Sequence, residues 1–455
     1  MTAGSRYRIA IPSIASILIA SMDRNTAFRL LRDLFDAAVG AASPGQCLAP
    51  HLATLTPPKG RTLVVGAGKA AAAMAKTVEA MWHGPLEGLV VTRERHGLPL
   101  DRIECVEARH PVPDERGRAA AGRILDMVKG LGADDLAICL ISGGGSALLT
   151  WPAEGITMED KQALTRDLLR KSVPIGGINT VRKHISAIKG GRLALAAQPA
   201  RVATYLISDV PGDDPSVIAS GPTVPDASTF ADAQAVLRKH GIEPPAAIRR
   251  HLEDGAAGRI EETPKPGDAR LAGGITVMTV TPIEALEAAA ALAGERGFAP
   301  IILGDRLEGL SRTLAAEHAA LIRRHLADGK RLAIISGGET TVEVKGNGRG
   351  GRNVEYLLAL ALDLGGQPGV WSLAADTDGV DGIEEIAGAM IGPDTLDRAR
   401  AGGIDAGARL EDNDGHGFFE ALGDAIVTGP TRTNVNDFRV SLIVPPGQQP
   451  SSTRT

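Results

Sequence analysis

One repeated unit limits the fold of this chain more than any other feature. A short apolar run ends in a glycine-rich polar turn, and a helix-patterned stretch follows. RTLVVGAGKA (61–70), DLAICLISGGGSALL (135–149) and ARVATYLISDV (200–210) each follow that plan, and GLVVT (88–92) is a further short apolar run between helical stretches. Strands that alternate with helices return in parallel, because each crossover helix carries the chain back to the same edge. Their uninterrupted apolar character fits strands covered on both faces. The expectation is an α/β protein whose first block is a mostly parallel, doubly wound sheet. Helical spacing is predicted over 26–40, 114–130, 158–172, 179–197 and 226–241.

The charged, Gly- and Pro-rich stretch 253–272 reads as a linker, and a second α/β block begins with ITVMTV at Ile275. The expected division is an N-terminal extension over 1–25, a first domain over 26–260 and a second over 275–445. The apolar run Ile9–Ala20 is too short to span a bilayer. A net charge of −5 and 3% aromatic residues argue against nucleic-acid and membrane partners. Three cysteines without a CxxC spacing point to reduced thiols and a cytoplasmic setting.

Ligands of open α/β sheets gather at the carboxyl ends of the strands, so the polar turns carry the candidate residues. GAGKAA (66–71) satisfies the dinucleotide pattern G-x-G-x-x-A, with Gly66, Gly68 and Lys69 at a predicted helix start that favours an anion. No acidic residue ends the next strand, and no P-loop pattern occurs. Ser142, Gly143, Gly144, Gly145 and Ser146 read as an anion-binding nest. Lys189, before two glycines, suits a small acidic substrate or a phosphate. Asp209 and Asp214 follow a strand end and suit Mg²⁺, which takes one or two carboxylates plus phosphate oxygens and water. VKGNGRGGRNVEY (344–356) places Gly350 and Gly351 beside Arg349, Arg352 and Asn353, a composition suited to gripping phosphoryl oxygens. DTDGVDG (376–382) adds Asp376, for a ribose or a metal.

In chain order, VVGAGKAAAAMA, HPVPD, ISGGGSALL, LISDVPGDDPSVIASGPT, GRGGRNVE, DTDGVDG and the TGPT-TNVND turn resemble the glycerate 2-kinase family. This is the class II type, whose C-terminal part is the MOFRL domain, and the resemblance runs over roughly 26–442. It implies two α/β domains with the active site in the cleft between them, the first domain Rossmann-like. It implies ATP-dependent phosphorylation of D-glycerate at the 2-hydroxyl to 2-phospho-D-glycerate, with ATP and Mg²⁺ as cofactors. Lys69 and Arg352 match the positions proposed as catalytic in that family. The residues of the glycine turns, with Lys189, Asn353 and Asp376, would hold the cofactor, and Asp209 and Asp214 the metal. A homodimer is an open expectation. The alternative is an NAD(P)H-dependent hydroxypyruvate reductase, the activity to which G-x-G-x-x-A alone would lead.

Overall fold

The computed structural model describes residues 22–382 and 385–445. The expected extension therefore lies outside the described residues except for its last four. Among these, Asp23 caps the first helix by accepting the Thr26 amide at 2.8 Å.

The first sheet holds β1 (Thr62–Ala67), β2 (Glu87–Arg93), β3 (Ile103–Ala108), β4 (Leu136–Ile141), β5 (Arg201–Ile207) and β6 (Ile275–Val280). All pairs are parallel, in the order β3-β2-β1-β4-β5-β6. β1 and β4 are apolar throughout because helices cover both faces. Val64 and Ile138 pack on one side with the helix Ala71–Met81, and Leu63, Val65 and Cys139 on the other with the helix Glu115–Lys129. The chain leaves β1 toward one edge and returns to β4 on its other side. That reversal opens a crevice at the carboxyl ends of these two strands, where GAGK and SGGGS lie.

The second sheet holds β7 (Ala299–Ile302), β8 (Leu332–Ser336), β9 (Val370–Asp376), β10 (Gly388–Ile391), β11 (Ala425–Ile426) and β12 (Asp437–Ile443), in the order β11-β10-β9-β12-β8-β7. Only β7 and β8 pair in parallel. β12 inserts antiparallel between β8 and β9, so its first residue, Asp437, sits opposite Asp376, the last of β9.

Two elements depart from the sequence reading. Ile275–Val280, expected to open the second block, is the edge strand of the first sheet. The stretch before it is tied to the first sheet's side of the molecule: the Asp226 amide donates to the Pro264 carbonyl at 2.8 Å, and Arg192 donates to the Glu261 carbonyl at 3.1 Å. Apolar alternation identifies a strand but not the sheet that accepts it. The first helix, Arg24–Ala41, packs across to the second sheet, with Phe35 edge-on to Phe438 and Phe28 edge-on to Trp371, both at 6.0 Å. Leu31, Leu34 and Phe35 thus share one core with Val64 of the first sheet and Val440 of the second. Among the described residues, no helix is long and apolar enough to cross a membrane.

Candidate active site

The turn after β1 is built for close approach of two loops. Gly68 adopts φ +140°, and a Cβ there would run into Ser142. Its neighbours' amides are already engaged. Lys69 N donates to the Gly143 carbonyl at 2.8 Å, Ala70 N to Ser142 Oγ at 3.0 Å, and Ala71 N to the Gly68 carbonyl at 3.1 Å. Gly66 lies inside β1, where a Cβ would strike Leu140. The expected role of Gly66, Gly68 and this helix start as an anion cradle is corrected accordingly: the amides that a pyrophosphate would need hold the SGGG loop. The three-glycine turn keeps that capacity, since the amides of Gly143 and Gly144 have no acceptor among the described residues.

What the first turn does present is the Lys69 side chain. Its ammonium reaches the second sheet and donates to Asp378 Oδ2 at 2.5 Å. Burial would lower the Lys69 pKa, but Asp378, Asp376 and Asp209 outweigh it and raise it, so the ammonium stays charged. Asp378 responds in kind: burial pushes its carboxyl up, Lys69 pulls it down further, and the net direction is down.

Arg352 opens the helix Arg352–Leu364 and reads three carboxylates at once. Nε donates to Asp437 at 2.8 and 3.0 Å, one terminal nitrogen to Asp376 at 2.7 Å and the other to Glu339 at 2.9 Å. Burial works against its charge, yet Asp437, Asp376 and Glu339 hold its pKa above the ordinary range. Asp376 is fully buried, and burial together with the Asp378 charge raises its carboxyl. Lys69 and Arg352, far apart in sequence and carried by loops of different sheets, therefore meet on two aspartates separated by one residue.

The glycine loop before Arg352 differs from expectation. The amides from Lys345 to Arg349 are spent on the segment Asp412–Asp414. Lys345 and Gly346 donate to Asn413 Oδ1 at 2.8 and 2.9 Å, Asn347 to Asp412 Oδ1 at 2.9 Å, and Arg349 to Asp414 Oδ1 at 3.1 Å. The Arg349 guanidinium pairs with Glu420 at 2.5 Å. A Cβ on Gly350 would meet the Asn413 carbonyl and one on Gly351 the Asp381 carboxylate. Close approach is what these glycines allow, but the partner is the chain itself. The helix start is occupied too. Asn353 N and Val354 N donate to Asp381 at 3.1 and 3.0 Å, and buried Asn353 gives its side-chain amide to Asp437 at 2.7 Å. Asn353 therefore holds acids in place, which corrects its expected contact with a cofactor.

Asp209 follows the end of β5 inside the same cleft. Asn434 Nδ2, from the loop before β12, donates to it at 2.8 Å. Burial raises the Asp209 carboxyl to about 6, against the pull of Lys69. A half-buried carboxylate with one amide donor, beside two glycine amides with no acceptor among the described residues, fits an oxygen-seeking divalent cation that takes its other ligands from phosphates and water. It does not fit a cation caged by protein alone, since no group of three or more His, Cys, Asp or Glu that could hold one occurs among the described residues. Asp214 does not join Asp209. It is exposed and accepts the Ser216 amide at 2.8 Å, a local turn contact, which corrects its expected role as a metal ligand.

A Cβ on Gly143 would run into both Asp209 and Asn434. Gly143→Ala is therefore expected to displace the one hydrogen bond that joins Asp209 to the second sheet's loops. A shift of about 1 Å at reacting groups costs about 10²-fold in rate. We expect a loss of that size in kcat with little change in Tm, measured by steady-state kinetics and thermal melting.

Beside this cluster, a cavity of about 370 Å³ has Arg93, His96 and His110 on one wall and Gly379, Val380 and Pro430 on the other. Sequence reading missed both histidines; the HPVPD motif and the ERHG turn were the available signals. A Cβ on Gly144 would come within 3.1 Å of the His110 ring. Burial, then the charge of Lys69, lowers His110 to about 3, so it faces the cavity as a neutral imidazole. Ser146 and Lys189 lie behind the SGGG turn; Ser146 Oγ meets Ser220 Oγ at 2.9 Å, and wholly buried Lys189 donates to the Ala219 carbonyl at 3.0 Å.

Residues 30–253 match the family described as Domain of unknown function (DUF4147), and residues 332–437 match the MOFRL family. A protein of Agrobacterium vitis named "Putative hydroxypyruvate reductase" is 50% identical over 425 residues, covering 92% of this chain and 95% of that protein. The D-glycerate 2-kinase of Thermotoga maritima is 40% identical over 393 residues, covering 84% and 91%. A crystal structure of glycerate kinase from Thermotoga maritima superposes with a TM-score of 0.83 at 37% identity, over 92% of this chain and 100% of that one. The chain belongs to the MOFRL-domain glycerate kinase family.

Proposed function

We propose that this chain transfers the γ-phosphoryl group of ATP to the 2-hydroxyl of D-glycerate, giving 2-phospho-D-glycerate and ADP. The observation that carries this reading is the meeting of Lys69 and Arg352 on Asp378 and Asp376, at 2.5 and 2.7 Å, from loops of the two sheets. Phosphoryl transfer depends on positioning and on neutralising charge spread over the moving group, and fixed cations in a water-poor cleft supply both. Lys69 and Arg352 bind the phosphoryl oxygens from opposite walls. The Gly143 and Gly144 amides add donors aimed at anionic oxygen. Mg²⁺, held by Asp209, would supply further neutralisation of the phosphate oxygens when bound. Asp376, whose affinity for a proton is raised by burial and by Asp378, accepts the proton of the 2-hydroxyl.

The names carried by the relatives leave a reductase to be weighed. The chemistry of the first turn disfavours it: the amides of Lys69, Ala70 and Ala71 are taken by Gly143, Ser142 and Gly68, and β2 ends in Arg93 where a ribose would want an acid. The test is incubation with D-glycerate, ATP and Mg²⁺, coupled to enolase, which consumes the 2-phosphate and not its isomer. Signal without added mutase supports the proposal. Signal only with mutase moves the acceptor to the 3-hydroxyl. ATP-independent NAD(P)H oxidation on hydroxypyruvate, with no phosphorylation, overturns it.

A further inference from the structure

Several cations withdrawn from solvent sit on acids: Lys69 on Asp378, Lys183 on Asp226 and Arg439 on Asp437. Lys189, Lys161 and Arg182 do not. Lys189 is wholly buried, and among the described residues its ammonium donates only to the Ala219 carbonyl. Lys161, from the helix Met158–Arg170, is buried and donates to Thr150 Oγ1 at 2.8 Å. Arg182, half-buried on the helix Ile175–His184, has no hydrogen bond or ion pair among the described residues.

These three form one group. Thr150, which receives Lys161, also touches the Ser146 carbonyl at 3.5 Å. Ser146 Oγ meets Ser220 Oγ, and Ser220 Oγ donates to Asn179 Oδ1 at 3.2 Å. Asn179 lies one turn before Arg182, on the same face of its helix. Ala219, which receives Lys189, packs on Gly145, where a Cβ would come within 2.7 Å of it. Ala219, Ser220 and Gly221 are all left-handed, with φ of +52°, +61° and +57°. Two of these are not glycine, and such a run persists only where its surroundings fix it, a frequent mark of ligand-holding segments.

The charges answer to one another. Burial, then Arg182, lowers Lys161 to about 7, and burial with Lys161 and Arg182 drives Lys189 well below its ordinary value. Like charges withdrawn from water without a counter-charge are costly, and an entering anion relieves all three at once. The SGGGS turn borders both this group and the cleft of Lys69: Gly143 faces Asp209, while Ser146 faces Ser220.

We propose that Lys161, Arg182 and Lys189, with Ser146, Asn179 and Ser220, form an oxyanion subsite that receives either the carboxylate of the hydroxy acid or a phosphate of the nucleotide. The identity of the anion rests on the kinase reading; the existence of the subsite does not.

The test uses Lys189→Met and, as a second variant on the half-buried member, Arg182→Leu. Thermal melting of the wild type with inorganic phosphate and, separately, with D-glycerate should show an upward shift in Tm for at least one. Both variants should lose that shift while their ligand-free Tm is unchanged or higher, because an unpaired buried charge has gone. In steady-state kinetics, a rise of about tenfold or more in KM for D-glycerate alone identifies the carboxylate. The same rise for ATP alone identifies a phosphate. A retained Tm shift in both variants with both KM values unchanged overturns the subsite. So does a lower ligand-free Tm in both with no change in KM, since the cations would then be structural. Should the wild type fail to phosphorylate D-glycerate, the kinase reading falls, and the melting experiment still decides the subsite.

Discussion

Arg352→Ala is expected to lower kcat by about 10³-fold or more, the loss seen when a guanidinium that neutralises a transferring phosphoryl group is removed. The same change strands Asp376, while Asp437 keeps Arg439 and Asn353. Asp437 and Asp376 are buried, and each loses its charge-assisted bond to Arg352. Breaking a buried pair from one side costs about 3–5 kcal/mol of stability. Part of any activity loss could therefore come from a weakened fold. Arg352→Lys separates the two. It keeps a cation among the three carboxylates, so its Tm should fall far less. It loses the planar fork that addresses Asp437, Asp376 and Glu339 in three directions. A lysine variant that melts near the wild type and still turns over about 10²-fold more slowly locates the effect in catalysis. Near-normal turnover in the lysine and alanine variants alike would remove Arg352 from the mechanism.

Much of this site could be read before any coordinates. The runs ending in GAGK and SGGGS announced strands whose carboxyl ends face a crevice, and the topology puts both at the point where strand order reverses. The two cations singled out, Lys69 and Arg352, do converge. Other features were hidden for physical reasons. Glycines 346, 348 and 350 signal that something approaches the backbone closely, but a phosphate and the Asp412–Asp414 segment require the same missing Cβ. Amides at a helix start look available in a sequence, whereas here Ser142 and Asp381 fill two such starts. Periodicity revealed β6 as a strand without saying that it joins the first sheet. The first helix reads as amphipathic, yet nothing in its spacing says that Phe35 meets Phe438, some four hundred residues on. Nothing in the sequence sets Arg182 and Lys161 apart from other charged helix residues, because the absence of a counter-ion is a property of the folded neighbourhood alone.

Lys69→Met should give the second large loss, about 10² to 10³-fold in kcat, the cost of removing one preorganised group that stabilises the transition state. Methionine keeps the length and the apolar stem, so packing against the SGGG turn is retained and the charge alone is lost. The variant also predicts a pH signature. In the wild type, Asp378 lies below its ordinary value of 3.8 because Lys69 outweighs burial, and Lys69 lies above its ordinary 10.5. A depressed carboxyl contributes stability at pH above 3.8 and loses it as pH falls through its folded value. A raised amine contributes below 10.5 and loses it as pH climbs through its folded value. The pair therefore supports the fold across the whole interval between. Without Lys69, burial, the largest influence on Asp378, is opposed only by the Asp376 side chain and the Val380 amide, so its carboxyl moves up and the variant weakens as pH rises above about 4. The Tm gap between wild type and Lys69→Met should thus be small near pH 4 and wide near pH 8, measured by calorimetry in matched buffers. A gap that does not change with pH, alongside lost activity, would mean that Asp378 titrates independently of Lys69 and that the ion pair across the cleft does not hold the two sheets' loops together in solution.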